Sequence, residues 1–245
     1  MNREQEAGGH ASHEASHPEA IKPTPGETEK VAMGGPLLTV SRDFLSGGGT
    51  VANKLAAKLG WNLYDRELIE SLAADVKVGC RTIEEMDENV FQYVQKWASE
   101  VFLPAYGGQA AYMKALIRVL LSIVKEGNAI VVGRGAHVLI LPHRRLAVRL
   151  IAPLPIRVEN YVRRFGATRE EAQERIVAED RRRKEFLSRN FQTDIDDPLG
   201  YDLVVNTADM DPNTIQQVIQ AALRSRFDLT ESTLARIHPE VDRDA

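Results

Sequence analysis

The sequence predicts an α/β domain built on a parallel sheet, and three observations predict it. Short apolar runs rich in Leu, Ile and Val occur at Leu37-Leu38-Thr39-Val40, Ala129-Ile130-Val131-Val132 and Leu146 to Ile151, the pattern of strands covered on both faces. Later strands are reached through helical or long connections, which forces parallel pairing. The first strand runs directly into Ser41-Arg42-Asp43-Phe44-Leu45-Ser46-Gly47-Gly48-Gly49-Thr50, a glycine-rich turn suited to cradling an anion at a strand-to-helix junction.

The elements follow in order. Gly34-Gly35-Pro36 precedes the first strand, and behind the glycine turn Val51, Ala52, Leu55, Ala56 and Leu59 recur at helical spacing before Gly60, a left-handed stop. Trp61 to Tyr64 reads as a short second strand, with Asp65-Arg66-Glu67 at its carboxyl edge and a helix beginning near Leu68. The stretch from about 68 to 126 is helical and amphipathic, closing with Tyr112, Leu116, Val119, Leu120, Ile123 and Val124 before Glu126-Gly127-Asn128. The third strand then meets Gly133-Arg134-Gly135, the fourth ends at Ala152-Pro153, and Tyr201 to Thr207 supplies a fifth. Asp211-Pro212 is an N-cap followed by a first-turn proline, and a final helix continues through Ile215, Val218, Ile219 and Leu223.

Between the fourth and fifth strands, Thr168-Arg169-Glu170-Glu171 matches a capping box and starts a helix through Arg181-Arg182-Arg183-Lys184 toward Arg189. Arg175, Arg182 and Arg189 share one face. At i, i+4 spacing, Glu171 with Arg175, Glu179 with Arg183, Asp180 with Lys184 and Glu185 with Arg189 are expected to pair. Such a helix is either a self-paired solvated surface or a mobile set of planar cations placed over a phosphoryl group.

Composition limits the function classes. The chain has 245 residues and a formal net charge of −4, so a general nucleic-acid surface is not indicated. Residues 1–36 mix Glu, His, Pro, Gly, Ser and Thr with little apolar content and read as a disordered tail, with His10, His13 and His17 assigned no metal. Residues 226–245 read as a polar, acidic tail. Cys80 is the single cysteine, which excludes an internal disulfide or thiolate cluster and agrees with a reducing cytoplasm. No signal-like segment and no 18-residue apolar run is present, so a cytoplasmic protein without membrane contact is expected. Protein partners cannot be read.

Ligands of open parallel sheets bind beyond the carboxyl ends of the strands. Polar or glycine-rich groups stand there at Arg42 to Thr50, Asp65 and Arg66, Gly133 and Arg134, and Asn206 and Thr207. The turn matches the spacing of a phosphate loop, except that Arg42 stands for its first glycine and Gly48 for its lysine.

Four blocks together resemble the cytidylate kinase-like family: Thr39 to Asp43 through Ser46-Gly47-Gly48; Leu63 to Ile69; Ile130 to Ala136; and Asp196-Asp197-Pro198 with Tyr201 to Thr207. The resemblance spans roughly Leu37 to Leu223. It implies a five-stranded parallel sheet of order 2-3-1-4-5 with helices on both faces, a helical insert at about 68–126 and an arginine-rich lid at about 166–192, in one domain over 37–225. It also implies transfer of the γ-phosphate of ATP, with Mg²⁺, to a nucleoside monophosphate such as CMP. Ser46, Gly47, Gly48, Gly49 and Thr50 then form the nucleotide-phosphate loop, while Asp65, Arg66 and Arg134 bind the acceptor. Thr50 and Asp65 hold metal, and Arg42, Arg181 and Arg182 are catalytic. The departures are Gly48 for the lysine and Gly135 for an aspartate beside the acceptor arginine, with Arg42 as the substitute cation. Nucleotide substrates are the expected partners, and the alternative is a nucleotide-binding or sensing module without turnover.

Overall fold

The computed structural model describes residues 34–74 and 108–230. The readings of the N-terminal tail, the middle of the insert, Cys80 and most of the C-terminal tail lie outside the described residues.

Five strands form the sheet: β1 (Leu37–Arg42), β2 (Asn62–Tyr64), β3 (Ala129–Val132), β4 (Arg145–Ile151) and β5 (Leu203–Asn206). Every pairing is parallel and the spatial order is β2-β3-β1-β4-β5, as expected. Seven α-helices are described: α1 (Gly48–Leu59), α2 (Arg66–Ala74), α3 (Gly108–Glu126), α4 (Ala136–Leu139), α5 (Leu154–Phe165), α6 (Arg169–Phe191) and α7 (Pro212–Phe227). None among the described residues is long and apolar enough to cross a membrane.

Alternation along the strands divides the interior into two layers. Leu38, Val40, Ile130, Val132, Leu146, Val148 and Leu150 meet Val51, Leu55 and Leu59 of α1 and Ile215, Ile219 and Leu223 of α7. On the opposite face Leu37, Ala129 and Val131 meet Ile69 of α2, Leu116, Leu120 and Ile123 of α3, and Leu187 and Phe191 from the end of α6. Both faces being covered explains why the three central strands, β3, β1 and β4, read as largely apolar runs rather than alternating ones. A third, smaller cluster joins α5 and α6 through Val158, Ala172 and Ile176, with Phe44 of the glycine turn packed against it.

Local signals hold where the chemistry is strongest. Gly60 ends α1 at φ 65°, the Thr168–Glu171 capping box starts α6 with both reciprocal bonds formed, and Asp211 caps α7 by accepting from Asn213 and Thr214 N–H. The charge pairing along α6 differs from the i, i+4 expectation. Glu171 closes the capping box, Glu179 accepts from Arg175 and Arg182, Asp180 pairs with Arg183, and Lys184 pairs with Asp194 and Asp196 outside the helix. Glu185 with Arg189 forms as expected, at 3.4 Å. Several spacings are sterically equivalent on a helix surface, so tertiary neighbours choose among them.

Candidate functional site

Parallel register brings the ends of β1 and β3 together. Val40 pairs with Val132, and the Gly133 N–H donates to Val40 O at 3.1 Å. The glycine turn and Gly133-Arg134-Gly135 therefore stand side by side beyond the sheet, where this fold class binds ligands.

The turn is anchored from beneath. Ser46 Oγ donates to Leu150 O at 3.0 Å and to Asp43 O at 3.1 Å, and Thr207 Oγ1 donates to Ser46 O at 2.8 Å. Ser46 is thus buried in the scaffold, whereas Gly49 and Thr50 are exposed at the start of α1. Gly47 takes a left-handed conformation and no side chain caps α1. The first-turn N–H groups of a helix have no partner within it, so Gly48, Gly49 and Thr50 offer donors and the positive helix end to an anion. A β-carbon built on Gly47 or Gly49 meets nothing within 4 Å, so this surface suits a phosphate chain.

Gly48 is different. A β-carbon there would lie 2.8 Å from Arg42 Cβ and 3.1 Å from Arg42 Cγ. Arg42 leaves the end of β1, lays its stem across Gly48, and carries its guanidinium to the β3 loop, where a β-carbon on Gly133 would lie 2.6 Å from Nη1. The cation absent from position 48 has its counterpart on the strand, and the glycine makes room for it.

Around that guanidinium is a cavity of about 270 Å³ lined by Arg42, Arg66, Arg134, Arg182 and Arg183, with Ser41, His137, Glu179 and Phe186 among its other walls. Arg134 pairs with Glu70 and lies 4.7 Å from the Phe186 ring centre. Burial, with a lesser contribution from Arg183, pulls Arg42 down to about 10 from its ordinary value; burial and Arg66 pull Arg134 down to about 10. Both remain cations at neutral pH, and their crowding is relieved by an incoming anion.

Asp65 N-caps α2, its Oδ1 accepting from Leu68 N–H at 2.9 Å. Arg66 sits at the first position of that helix, 3.7 Å from Glu70. Thr50 and Asp65 stand beyond β1 and β2, which are separated by β3, two strand spacings or roughly 10 Å. Among the described residues no group of three or more His, Cys, Asp or Glu is placed to hold a metal ion, so a divalent cation would need phosphate oxygens to complete its shell.

On α6, the helix expected as a lid, Arg182 lines the cavity while Arg181, its side chain 79% exposed, pairs with Glu185 on the outer side. Arg183 was not singled out from sequence, yet its side chain is only 21% exposed, it lines the cavity, and it lies 5.1 Å from the Phe44 ring centre. The buried residues Ala172, Ile176, Glu179, Leu187 and Phe191 mark the inward face of α6, and Arg183 falls on it at helical spacing. That periodicity was available in the sequence.

Sequence reasoning also missed His137 and Arg149. His137 is buried and stacked on Tyr201 with ring centres 4.8 Å apart. Burial, helped by Arg145 and Arg149, pulls it down to about 3, so the imidazole is neutral. Arg149 donates to Asp43 at 2.7 Å and Asp196 at 3.2 Å, tying the glycine turn to the segment after the lid. Burial raises Asp43, against the pull of Arg149. At Gly135, φ 70° and the Phe191 ring together leave no place for a side chain.

The model of the cytidylate kinase-like family matches residues 37–209. A cytidylate kinase of Ignicoccus hospitalis is 27% identical over 73% of this chain and 93% of its own length. A cytidylate kinase of Pyrococcus horikoshii is 30% identical over 40% of this chain and 51% of its own, so the chain spans about half the length of that relative. Among solved structures, an uncharacterized protein from Eubacterium ventriosum superposes with a TM-score of 0.61 at 21% identity, covering 78% of this chain and 98% of that one. That likeness shows the fold.

Proposed function

Because the chain belongs to the cytidylate kinase-like family, we propose that it is a phosphotransferase moving the γ-phosphate of ATP to a nucleoside monophosphate such as CMP. The observation that carries the reading is the convergence of five arginines, from β1, α2, the β3 loop and α6, on one cavity beside an uncapped, glycine-lined helix start. Phosphoryl transfer requires little covalent chemistry from the protein and much positioning and positive charge.

In this reading the N–H groups of Gly47, Gly48, Gly49 and Thr50 hold the phosphates of ATP, and Ser46 fixes the turn from below. Arg134 and Arg66 take the acceptor phosphate. Arg42 lies between the two positions and neutralises charge on the transferring group, with Arg182 and Arg183 closing from α6; Arg181, paired with Glu185 outside the cavity, is given no part in this reading. Thr50 and Asp65 are the residues that would hold Mg²⁺, which when bound neutralises the nucleotide's phosphates. Walls of Phe186, Leu187 and Ile195 limit water near the reacting oxygens. The single cysteine agrees with a cytoplasmic location.

A nucleotide-binding module without turnover is the second reading. It is favoured by glycine at the lysine position and by Arg182 being engaged with Glu179 at 2.8 Å. Incubating the protein with Mg·ATP and a panel of nucleoside monophosphates separates the two. ADP formed only in the presence of one acceptor supports the enzyme; a rise in Tm with ATP but no ADP supports the binding module.

A further inference from the structure

Asp180 of α6 reaches across to the glycine turn. Its Oδ1 accepts from the Phe44 backbone N–H at 2.8 Å and lies 3.6 Å from Arg183, and its Oδ2 is paired with Arg157 of α5. Arg157 is itself held, donating to Ala152 O at 2.8 Å and to Phe44 O at 3.4 Å. The Phe44 ring packs against the cluster that joins α5 to α6. A main-chain N–H flanked by two guanidinium groups, at the mouth of a phosphate-type loop, is a donor set matched to a phosphate oxygen. Its occupant here is a carboxylate from the lid itself.

We propose that Asp180 is an internal competitor for a nucleotide phosphate. The carboxylate latches α6 onto the turn through the Phe44 N–H and Arg157, with Arg183 of the same helix beside it, and the terminal phosphate of a nucleoside triphosphate displaces it and takes over the same cations. Two anions cannot share these donors without a large repulsion, so the ligand must outcompete the latch. Affinity is thereby lowered, and lid movement is tied to the arrival of a triphosphate. The inference rests on the reading that the turn binds ATP.

The experiment is calorimetric titration of the full chain and of Asp180→Asn with ATP and with inorganic tripolyphosphate, alongside Tm without ligand. Asparagine keeps the shape and an acceptor for the Phe44 N–H but removes the charge; Asp180→Ser serves should the first variant fail to fold. The expected result is binding roughly ten-fold tighter in the variant for both ligands, the size of one charge-assisted contact. A residue that merely braced the lid would give weaker binding when changed. Equal or weaker binding by a folded variant, with measurable binding by the original protein, overturns the latch and leaves the ATP-binding reading standing. Binding by neither protein overturns both.

Discussion

Arg42 and Gly48 act as a pair. The stem of one occupies the space in which the other would carry a side chain, so a lysine at 48 and an arginine at 42 exclude each other in this conformation. Three variants follow. Arg42→Ala is expected to keep the fold and lose about a hundred-fold or more in turnover, the size of removing a charged group aimed at a phosphoryl transition state. Gly48→Lys alone is expected to lose activity as well, because it displaces Arg42. The double change Arg42→Gly with Gly48→Lys, which restores the usual spacing, is expected to recover part of the rate; steady-state ADP release checks all three, and full activity in Arg42→Ala would remove Arg42 from the reaction. The missing lysine was visible in the sequence, but its steric partnership with Arg42 was not, because it depends on where a strand's last side chain crosses a helix start. Gly135 is similar: its left-handed backbone and the Phe191 ring mean that Gly135→Asp is expected to cost about 2 kcal/mol or more in urea denaturation.

At the level of elements, α6 belongs both to the cavity wall and to the core. Its C-terminal end contributes Leu187 and Phe191 to the interior, while Ala172 and Ile176 pack with α5 against Phe44. Phe44 thus pins the lid to the glycine turn. Phe44→Ala removes the pin, and is expected to increase proteolytic cutting between α5 and α6 while leaving the sheet's hydrogen-exchange protection intact; unchanged cutting would show that the polar contacts alone hold the lid. The helix and its N-terminus were legible because a capping box is a local chemical signal. The partners of its charges were not, since one carboxylate can serve neighbours three or four residues away, or another element altogether. Arg183 is carried inward by the 3.6-residue row of Ala172, Ile176, Glu179 and Leu187, a signal that the surrounding run of charges masks.

The whole molecule shows what a parallel α/β pattern transmits. Three apolar runs, two short mixed segments and the long connections between them were enough for the strands, and resemblance supplied their order, because pairing between distant segments leaves no mark in either run alone. The site's basic rim was legible from Arg42, Arg66, Arg134 and Arg182. Its His137 wall, backed by Tyr201, was not, since a single buried histidine has no periodic signature. His137 also sets an expectation for global stability. With its folded value down at about 3 and an unfolded value of about 6.5, the unfolded chain takes up the proton first as pH falls. Its contribution is therefore complete above about 6.5 and is lost progressively between 6.5 and 3, by roughly 1.4 kcal/mol per pH unit. The unfolding free energy from urea titration should fall between pH 7 and pH 5 by about 2 kcal/mol more in the original protein than in His137→Phe. An identical pH dependence in the two would mean that His137 is not held neutral.

An arginine-lined cavity beside a lysine-free glycine turn is proposed here to transfer a phosphoryl group. ADP release with Mg·ATP and the panel CMP, UMP and dCMP tests it most directly. Acceptor-dependent ADP with matching diphosphate product, lost in Arg42→Ala, is the expected result. No ADP above background from any acceptor, while ATP still raises Tm, would contradict the claim and leave a nucleotide-binding module in its place.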